Sequence, residues 1–212
     1  FQAMNTNSAI PDWDLIIERC RWLNAGTSGG LPVILGYNNN RTLVKNNLII
    51  NDGSQSQMIG NNDSGTFLST QNLYVARNAA AGSAVALGLG AHSTSIDDVF
   101  VGWGATVIDR GGTGTSVVTN AFSSSTPTNA NNFTVSTTAL LVTSAVAPYD
   151  YTIPTGSPLI NTASVSSQKG YDILGNYRGT KPDVGPKQKN VQALPAVPTT
   201  TVTKTTVIGQ RV

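Results

Sequence analysis

Four segments of the chain superpose without internal gaps, and this repetition constrains the fold more than any other feature of the sequence. The segments are IIERCRWLNAG (16–26), LVKNNLIINDG (43–53), LSTQNLYVARN (68–78) and TSIDDVFVGWG (94–104). Their equivalent anchor residues, spaced 27, 25 and 26 positions apart, are Leu23, Ile50, Val75 and Val101. A period near 26 predicts a stack of similar units, each of which packs on its neighbours.

The residues around each anchor predict which side chains share a face. Two positions before the anchors lie Arg21, Leu48, Leu73 and Val99. Residues i and i−2 of a strand point the same way, and three of these four pairs are wholly apolar. We therefore predict that both positions face the interior of the stack.

The position between them then faces outward and carries four large side chains. This stripe consists of Trp22, Ile49, Tyr74 and Phe100. On a parallel ladder its members would stack about 4.8 Å apart. An outward apolar stripe marks an interface or a binding platform. Two hypotheses stay open: the stripe binds sugar rings, or it is buried under the C-terminal segment or a neighbouring chain.

Turn signals place at least two strands in each repeat. The pieces VILG, QMIG and VALG end at Gly36, Gly60 and Gly88, which suggests a second ladder of strands. Between the strand pieces of LVKNNLIIND lie Asn46 and Asn47, and the equivalents of Asn47 are Asn72 and Asp98. Asn and Asp tolerate the left-handed conformation that a sharp bend needs. Stacked Asn side chains can also bond along the ladder; isolated turn residues are the alternative.

Residues 11–23 allow two interpretations. Trp13, Ile16, Ile17 and Cys20 recur at helical spacing after Pro11 and Asp12, which would suit a short capping helix. The match to LVKNNLIINDG extends through Asn24 and Gly26, and it favours a strand instead.

Composition excludes several function classes. Of the 212 residues, 11% are charged and the net charge is +2, which is too little and too scattered for a nucleic-acid partner. Because the chain has one cysteine, it cannot form an intrachain disulfide or a metal site built on several cysteines. The sequence contains no run of 18 apolar residues, the length that would predict a membrane span. We expect no cofactor and no metal.

The repeat LVKNNLIINDG resembles the generic coil of the right-handed parallel β-helix superfamily of the pectate-lyase-like type. Three later motifs resemble the terminal segment of many extracellular members: Gly-Ser-Pro-Leu-Ile (156–160), Asp-Ile-Leu-Gly-Asn-Tyr-Arg (172–178) and Pro-Asp-Val-Gly (182–185). The chain departs from that pattern after Gly185, where Pro186, Lys187 and Gln188 follow.

The repeats and the resemblance together predict an all-β fold, a right-handed parallel β-helix of about five coils closed by a C-terminal cap. Residues 1–4 are expected to be a purification-tag remnant. Residues 5–149 would form the coils, 150–186 the cap on the last coil and 187–212 a Pro/Thr/Val-rich tail. Asp172, Arg178 and Asp183 would tie the turns of the cap together. The tail would be a linker, a strand added to a partner, or disordered.

The resemblance implies the C-terminal part of an extracellular, cell-surface or virion protein, similar to a tailspike, with a structural or carbohydrate-binding role. The alternative is a fragment of a polysaccharide lyase or glycoside hydrolase. The partners it implies are a polysaccharide or cell-surface glycan, and further copies of the chain in a trimer.

We assign no catalytic residue. Asp97 and Asp98 are adjacent on a strand and therefore point opposite ways, so we expect solvated turn carboxylates. No basic residue aligns with a carboxylate cluster over successive repeats; the basic residues considered are Arg19, Arg41, Lys45 and Arg77.

Overall fold

The computed structural model describes residues 2–3, 14–24, 34–36, 41–53, 57–61, 66–77, 85–88, 93–103, 108–109, 117–123, 133–135, 151–164 and 170–189. This part of the chain contains β-strands and no helix. The strands are β1 (Gln2–Ala3), β2 (Asp14–Glu18), β3 (Arg21–Asn24), β4 (Ile34–Gly36), β5 (Arg41–Lys45), β6 (Leu48–Asn51), β7 (Gln57–Asn61), β8 (Phe67–Thr70), β9 (Leu73–Ala76), β10 (Val85–Gly88), β11 (Ser93–Ile96), β12 (Val99–Val101), β13 (Ile108–Asp109), β14 (Val117–Thr119), β15 (Ala121–Ser123) and β16 (Phe133–Val135).

These strands form three sheets in which all pairings are parallel. The first sheet has the order β1-β4-β7-β10-β13, the second β14-β11-β8-β5-β2 and the third β16-β15-β12-β9-β6-β3. Up to β15, each strand therefore pairs with the third strand before or after it in the chain. Successive repeats thus place equivalent strands side by side, and the all-β prediction is confirmed.

The register of the third sheet is the one predicted from the repeats. Leu23 lies opposite Ile50, Ile50 opposite Val75, and Val75 opposite Val101. The first sheet departs by one residue at β4, where Gly36 lies opposite Asn61 and not opposite the predicted Gly60. The pairing of Gly60 with Gly88 follows the prediction.

The N-terminal part is extended. Residues 14–24 form the two strands β2 and β3, which confirms the strand interpretation over the helix. Gln2 and Ala3 pair with Leu35 and Gly36 of β4. Two of the residues that we set aside as a tag remnant are therefore part of the first sheet.

The apolar side chains form two clusters, one on each face of the third sheet. The first draws on all three sheets and includes Val44, Ile49, Ile59, Phe67, Tyr74, Leu87 and Phe100. The second joins the third sheet to residues near the C-terminus and includes Leu48, Leu73, Val99, Phe122, Tyr151, Ile153, Leu159 and Val184. The inner face of the third sheet, which meets the other two sheets, is therefore the face that we predicted to point outward.

Residues 151–164 and 170–189, called the C-terminal segment below, run as turns against the outer face of the third sheet. One isolated antiparallel bridge, between Tyr171 and Tyr177, lies within it. Its apolar residues contact the strands of four repeats, β6, β9, β12 and β15. We predicted a cap on the last coil, but the described segment covers the side of the stack.

Candidate functional site

The predicted stripe lies inside the stack. Ile49, Tyr74 and Phe100 are completely buried, and the rings of Tyr74 and Phe100 stack with centroids 4.9 Å apart. Trp22 is half-buried and packs against the same cluster. The outward orientation was wrong, because both faces of this sheet carry apolar residues and the sequence shows no alternation that could orient it. Residues of the other two sheets belong to the same buried cluster, among them Val44, Ile59 and Leu87.

The residues predicted to point inward form the outer face of the third sheet. Leu48, Ile50, Leu73, Val75 and Val99 are buried as predicted, and Val101 is partly buried. They are covered by Tyr151, Ile153, Leu159 and Val184 of the C-terminal segment. Arg21 and Leu23 of β3 are exposed, so the inward prediction was wrong for these two residues. Both faces of the sheet are therefore covered along β6, β9, β12 and β15, but not at β3.

A sharp corner joins the second sheet to the third in every described repeat. The corner residue has a left-handed backbone with φ between 50° and 57° in five cases: Arg19, Asn46, Gln71, Asp97 and Asn120. Asn and Asp were expected at such a bend. Arg and Gln have no such preference, so the fold imposes the conformation at two of these positions.

After the second and third corners, Asn47 and Asn72 form an amide ladder. Asn47 accepts a hydrogen bond from the Cys20 backbone amide at 2.9 Å and donates to the Ile17 carbonyl at 2.9 Å. Asn72 in turn accepts from the Asn47 backbone amide at 2.9 Å and donates to the Val44 carbonyl at 2.9 Å. Each side chain thus satisfies backbone groups of the preceding repeat, and the predicted stacking is confirmed.

Asp98 ends this ladder with a buried carboxylate. Its Oδ1 accepts from the Asn72 backbone amide at 2.8 Å and from Asn72 Nδ2 at 3.1 Å. Its Oδ2 accepts from Ser69 Oγ at 2.5 Å and Ser95 Oγ at 2.7 Å, and Tyr74 lies 2.7 Å from Ser69. Asp98 is fully buried, so the expectation of a solvated turn carboxylate was wrong. Burial raises the pKa of Asp98 to about 7, although the four donors oppose this shift.

Asp97 faces away from Asp98, as predicted, although the two residues lie at the corner between β11 and β12 and not on a strand; Asp97 is also buried. Its carboxylate accepts two bonds of 3.0 Å from the Ser164 backbone amide, and it accepts from Asn120 Nδ2. The Asp97 carbonyl accepts from the Gly185 amide at 3.2 Å. Asp97 therefore fastens the C-terminal segment to the fourth corner.

Arg178 fastens the same segment to the second corner. Its side chain is completely buried. Nη2 donates to Asn46 Oδ1 at 2.8 Å and to the Gly185 carbonyl at 2.6 Å, and Nη1 donates to the Asp183 carbonyl at 3.0 Å. Burial lowers the pKa of Arg178 to about 10, against the raising effect of Asp172, Asp183 and Asp97.

Asp172 and Asp183 hold the turns of the segment. Asp172 accepts from the backbone amides of Leu174, Asn176 and Gln188 at 2.7–3.0 Å. Asp183 accepts from those of Asn161 at 2.8 Å and Lys189 at 2.5 Å. The predicted role of Asp172, Arg178 and Asp183 is confirmed. The network extends past the predicted boundary at residue 186.

Two of the remaining charged candidates, Arg77 and Lys45, lie near a carboxylate. Arg77 pairs with Asp52 at 2.9 Å, Lys45 lies 4.0 Å from Glu18, and Arg19 is exposed. In the described ranges no group of three or more His, Cys, Asp or Glu residues could hold a metal ion. The side chain of Arg41 and residues 190–212, which hold most of the predicted tail, lie outside the described part.

The sequence analysis missed the two serines that meet Asp98. Ser69 and Ser95 stand in the same ladder row as Val44, on the inward face of the second sheet. A signal for them exists in the sequence. Along this row Ile17 and Val44 are followed by Ser69 and Ser95, the two residues that flank the change of the ladder from Asn72 to Asp98.

Comparison of the chain with protein-family models, with curated proteins and with solved structures finds no match. The described part of the chain contains no helix that is long and apolar enough to cross a membrane.

Proposed function

We propose that this chain is a right-handed parallel β-helix that serves as a rigid structural support in an extracellular, cell-surface or virion protein. The β-helix assignment is supported by the three parallel sheets, in which each strand up to β15 pairs with the third strand before or after it in the chain. The right-handed assignment is supported by the general rule that crossover connections between parallel strands are right-handed in about 98% of cases.

The observation that carries the structural role is that strands β6, β9, β12 and β15 of the third sheet are covered on both faces. Its inner face packs on the other two sheets, and its outer face packs on the C-terminal segment. Arg178 and Asp97 lock that segment to two separate corners. A sheet buried on both faces and fixed at two points resists bending and local opening.

Buried carboxylates and amides support this role as well. Asp172, Asp183 and Asp97 accept hydrogen bonds from backbone amides of the segment, so these groups fix the backbone. Burial of Ile49, Tyr74 and Phe100 removes the outward platform that the sugar-binding hypothesis requires. A support function therefore accounts for more of the described residues than glycan binding or cleavage does.

Two assays on the parent chain test this proposal. Limited proteolysis under native conditions should leave residues 151–164 and 170–189 uncut, because buried side chains and hydrogen bonds hold both stretches against the third sheet. Incubation with polygalacturonate, alginate and a neutral glucan should show neither retention on the immobilised polymer nor release of unsaturated or reducing ends. Release of such ends would overturn the structural role in favour of a polysaccharide-cleaving enzyme, and retention alone in favour of a glycan-binding module.

A further inference from the structure

We propose that Asp98 is a proton-binding site in the core, through which mild acid strengthens the packing of the third and fourth repeats. The carboxyl group lies among Ser69, Ser95, Asn72 and Tyr74, and all five residues are completely buried. This hydroxyl cluster is not needed by the ladder itself, since Asn47 bonds to the preceding repeat without one.

The charge on Asp98 is isolated. The described residues place no cationic side chain against the carboxylate; its contacts are hydroxyl and amide donors. Tyr74 on β9 is the titratable neighbour, reached through Ser69, and Asp97 points away toward Ser164. Burial without a counter-ion disfavours the charged form of a carboxyl group.

The hydroxyl groups can accommodate the added proton. Ser69 Oγ donates to Asp98 and accepts from Asn72 Nδ2 at 3.0 Å, so the Tyr74 hydroxyl donates to Ser69 in this arrangement. A proton on Asp98 Oδ2 needs an acceptor, and a hydroxyl can supply one by rotating. Ser95 Oγ, 2.7 Å away, is the group that turns from donor to acceptor. The protonated Asp98 carboxyl group and the Ser95 hydroxyl are both neutral, so no charge remains in this cluster.

The sign of the linkage follows from the raised pKa of Asp98, about 7 in the folded chain against about 3.8 for an ordinary Asp. The folded state therefore binds this proton more tightly than the unfolded state. The resulting stabilisation is fully present below about pH 4 and is lost as the pH rises to about 7. Most carboxylates act in the opposite direction, so the effect is read as a difference between variants.

The test measures the urea midpoint from pH 4 to pH 8 for the parent, Asp98→Asn and Asp52→Asn. Asn continues the ladder without a titrating group, whereas Asp52 is a part-buried carboxylate paired with Arg77 elsewhere on the chain. The difference between the urea midpoints of Asp98→Asn and the parent should be less favourable to the variant at pH 4 than at pH 8. Asp52→Asn should keep the parent's slope between pH 4 and pH 7. Equal slopes for the parent and Asp98→Asn would overturn the proposal.

A second measurement keeps the proposal testable if Asp98→Asn does not fold. The side-chain carboxyl signal of Asp98, followed by ¹³C NMR in the folded parent, should titrate near neutral pH. Ser95→Ala removes one donor to the anion and should move that midpoint upward. A carboxyl signal that titrates at or below about pH 4 would show that Asp98 stays ionised and that the proposal is wrong.

Discussion

The ladder and the C-terminal segment both bury polar groups, and they satisfy them by different chemistry. The ladder uses neutral amides, Asn47 and Asn72, each of which bonds to the repeat before it. The C-terminal segment has no repeat and depends on charged groups, Arg178, Asp172 and Asp183, each of which contacts several backbone groups. Where neighbours recur at a fixed spacing, one amide per repeat is enough. Where the backbone is irregular, a single charged side chain must hold several turns.

Removing the charged centre of the segment should have the largest effect. Arg178→Met leaves two carbonyls and the Asn46 side chain without their buried donor, so we expect a loss of about 3–5 kcal/mol in the free energy of unfolding. Urea unfolding measures this loss. Lys181→Met, at an exposed position of the same segment, is the control and should be neutral. Equal free energies of unfolding for Arg178→Met and Lys181→Met would show that the charge of Arg178 does not hold the segment.

Breaking the ladder should cost somewhat less. Asn72→Ala removes the acceptor of the Asn47 amide and the donor to the Val44 carbonyl, at about 1–3 kcal/mol for each buried group left unpaired. The two lower limits add to an expected loss of at least about 2 kcal/mol in thermal or urea unfolding. Thr94→Ala, on a partly exposed site of β11, should change stability by less than about 0.5 kcal/mol. If Asn72→Ala is as stable as the parent, water replaces the hydrogen bonds of the Asn72 side chain.

Two glycines separate backbone strain from contact in the segment. Gly185 and Gly156 both have left-handed φ, at 90° and 83°, but a Cβ on Gly185 would lie 3.1 Å from Val99 Cγ2, whereas one on Gly156 would meet nothing within 4 Å. Gly156→Ala should cost about 1–2 kcal/mol for the backbone alone. Gly185→Ala should cost more in the same urea titration, and adding Val99→Ala should reduce the difference between them. Equal costs would show that the segment does not press on β12 at this point.

The smallest expected effect concerns the pH dependence of the segment. Burial, with a contribution from Arg21, lowers the pKa of Lys187 to about 8. Between about pH 8 and about pH 10.5, Lys187 is deprotonated in the folded chain and still protonated in the unfolded chain. The free energy of unfolding should therefore rise with pH over this range. Lys187→Met should lose this rise in thermal melts, and Lys189→Met, at an exposed position, should keep it. A rise that survives in Lys187→Met would assign it to another group.

The sequence predicted the register of the third sheet and the ladder, because both depend on spacing along the chain. It did not predict which face of that sheet is inside. Leu48, Leu73 and Val99 on one face and Ile49 and Tyr74 on the other are equally apolar, and a strand buried on both sides shows no alternation that could orient it. The Asp98 cluster also escaped prediction, since Ser69 and Ser95 come from two different repeats that meet only in the folded stack.

The lateral path of the C-terminal segment sets a length for the molecule. The segment is tied to Asn46 through Arg178 and to Asp97 through Ser164, so the two ties span the second, third and fourth repeats. Duplicating or deleting a repeat between Asn46 and Asp97 would move the ties by about 4.8 Å, the spacing of adjacent strands, and the segment could reach only one of them. Changes outside that interval leave both ties in place. The segment therefore restricts the number of repeats between Asn46 and Asp97. Among related chains, we expect the number of repeats to vary outside this interval before it varies within it.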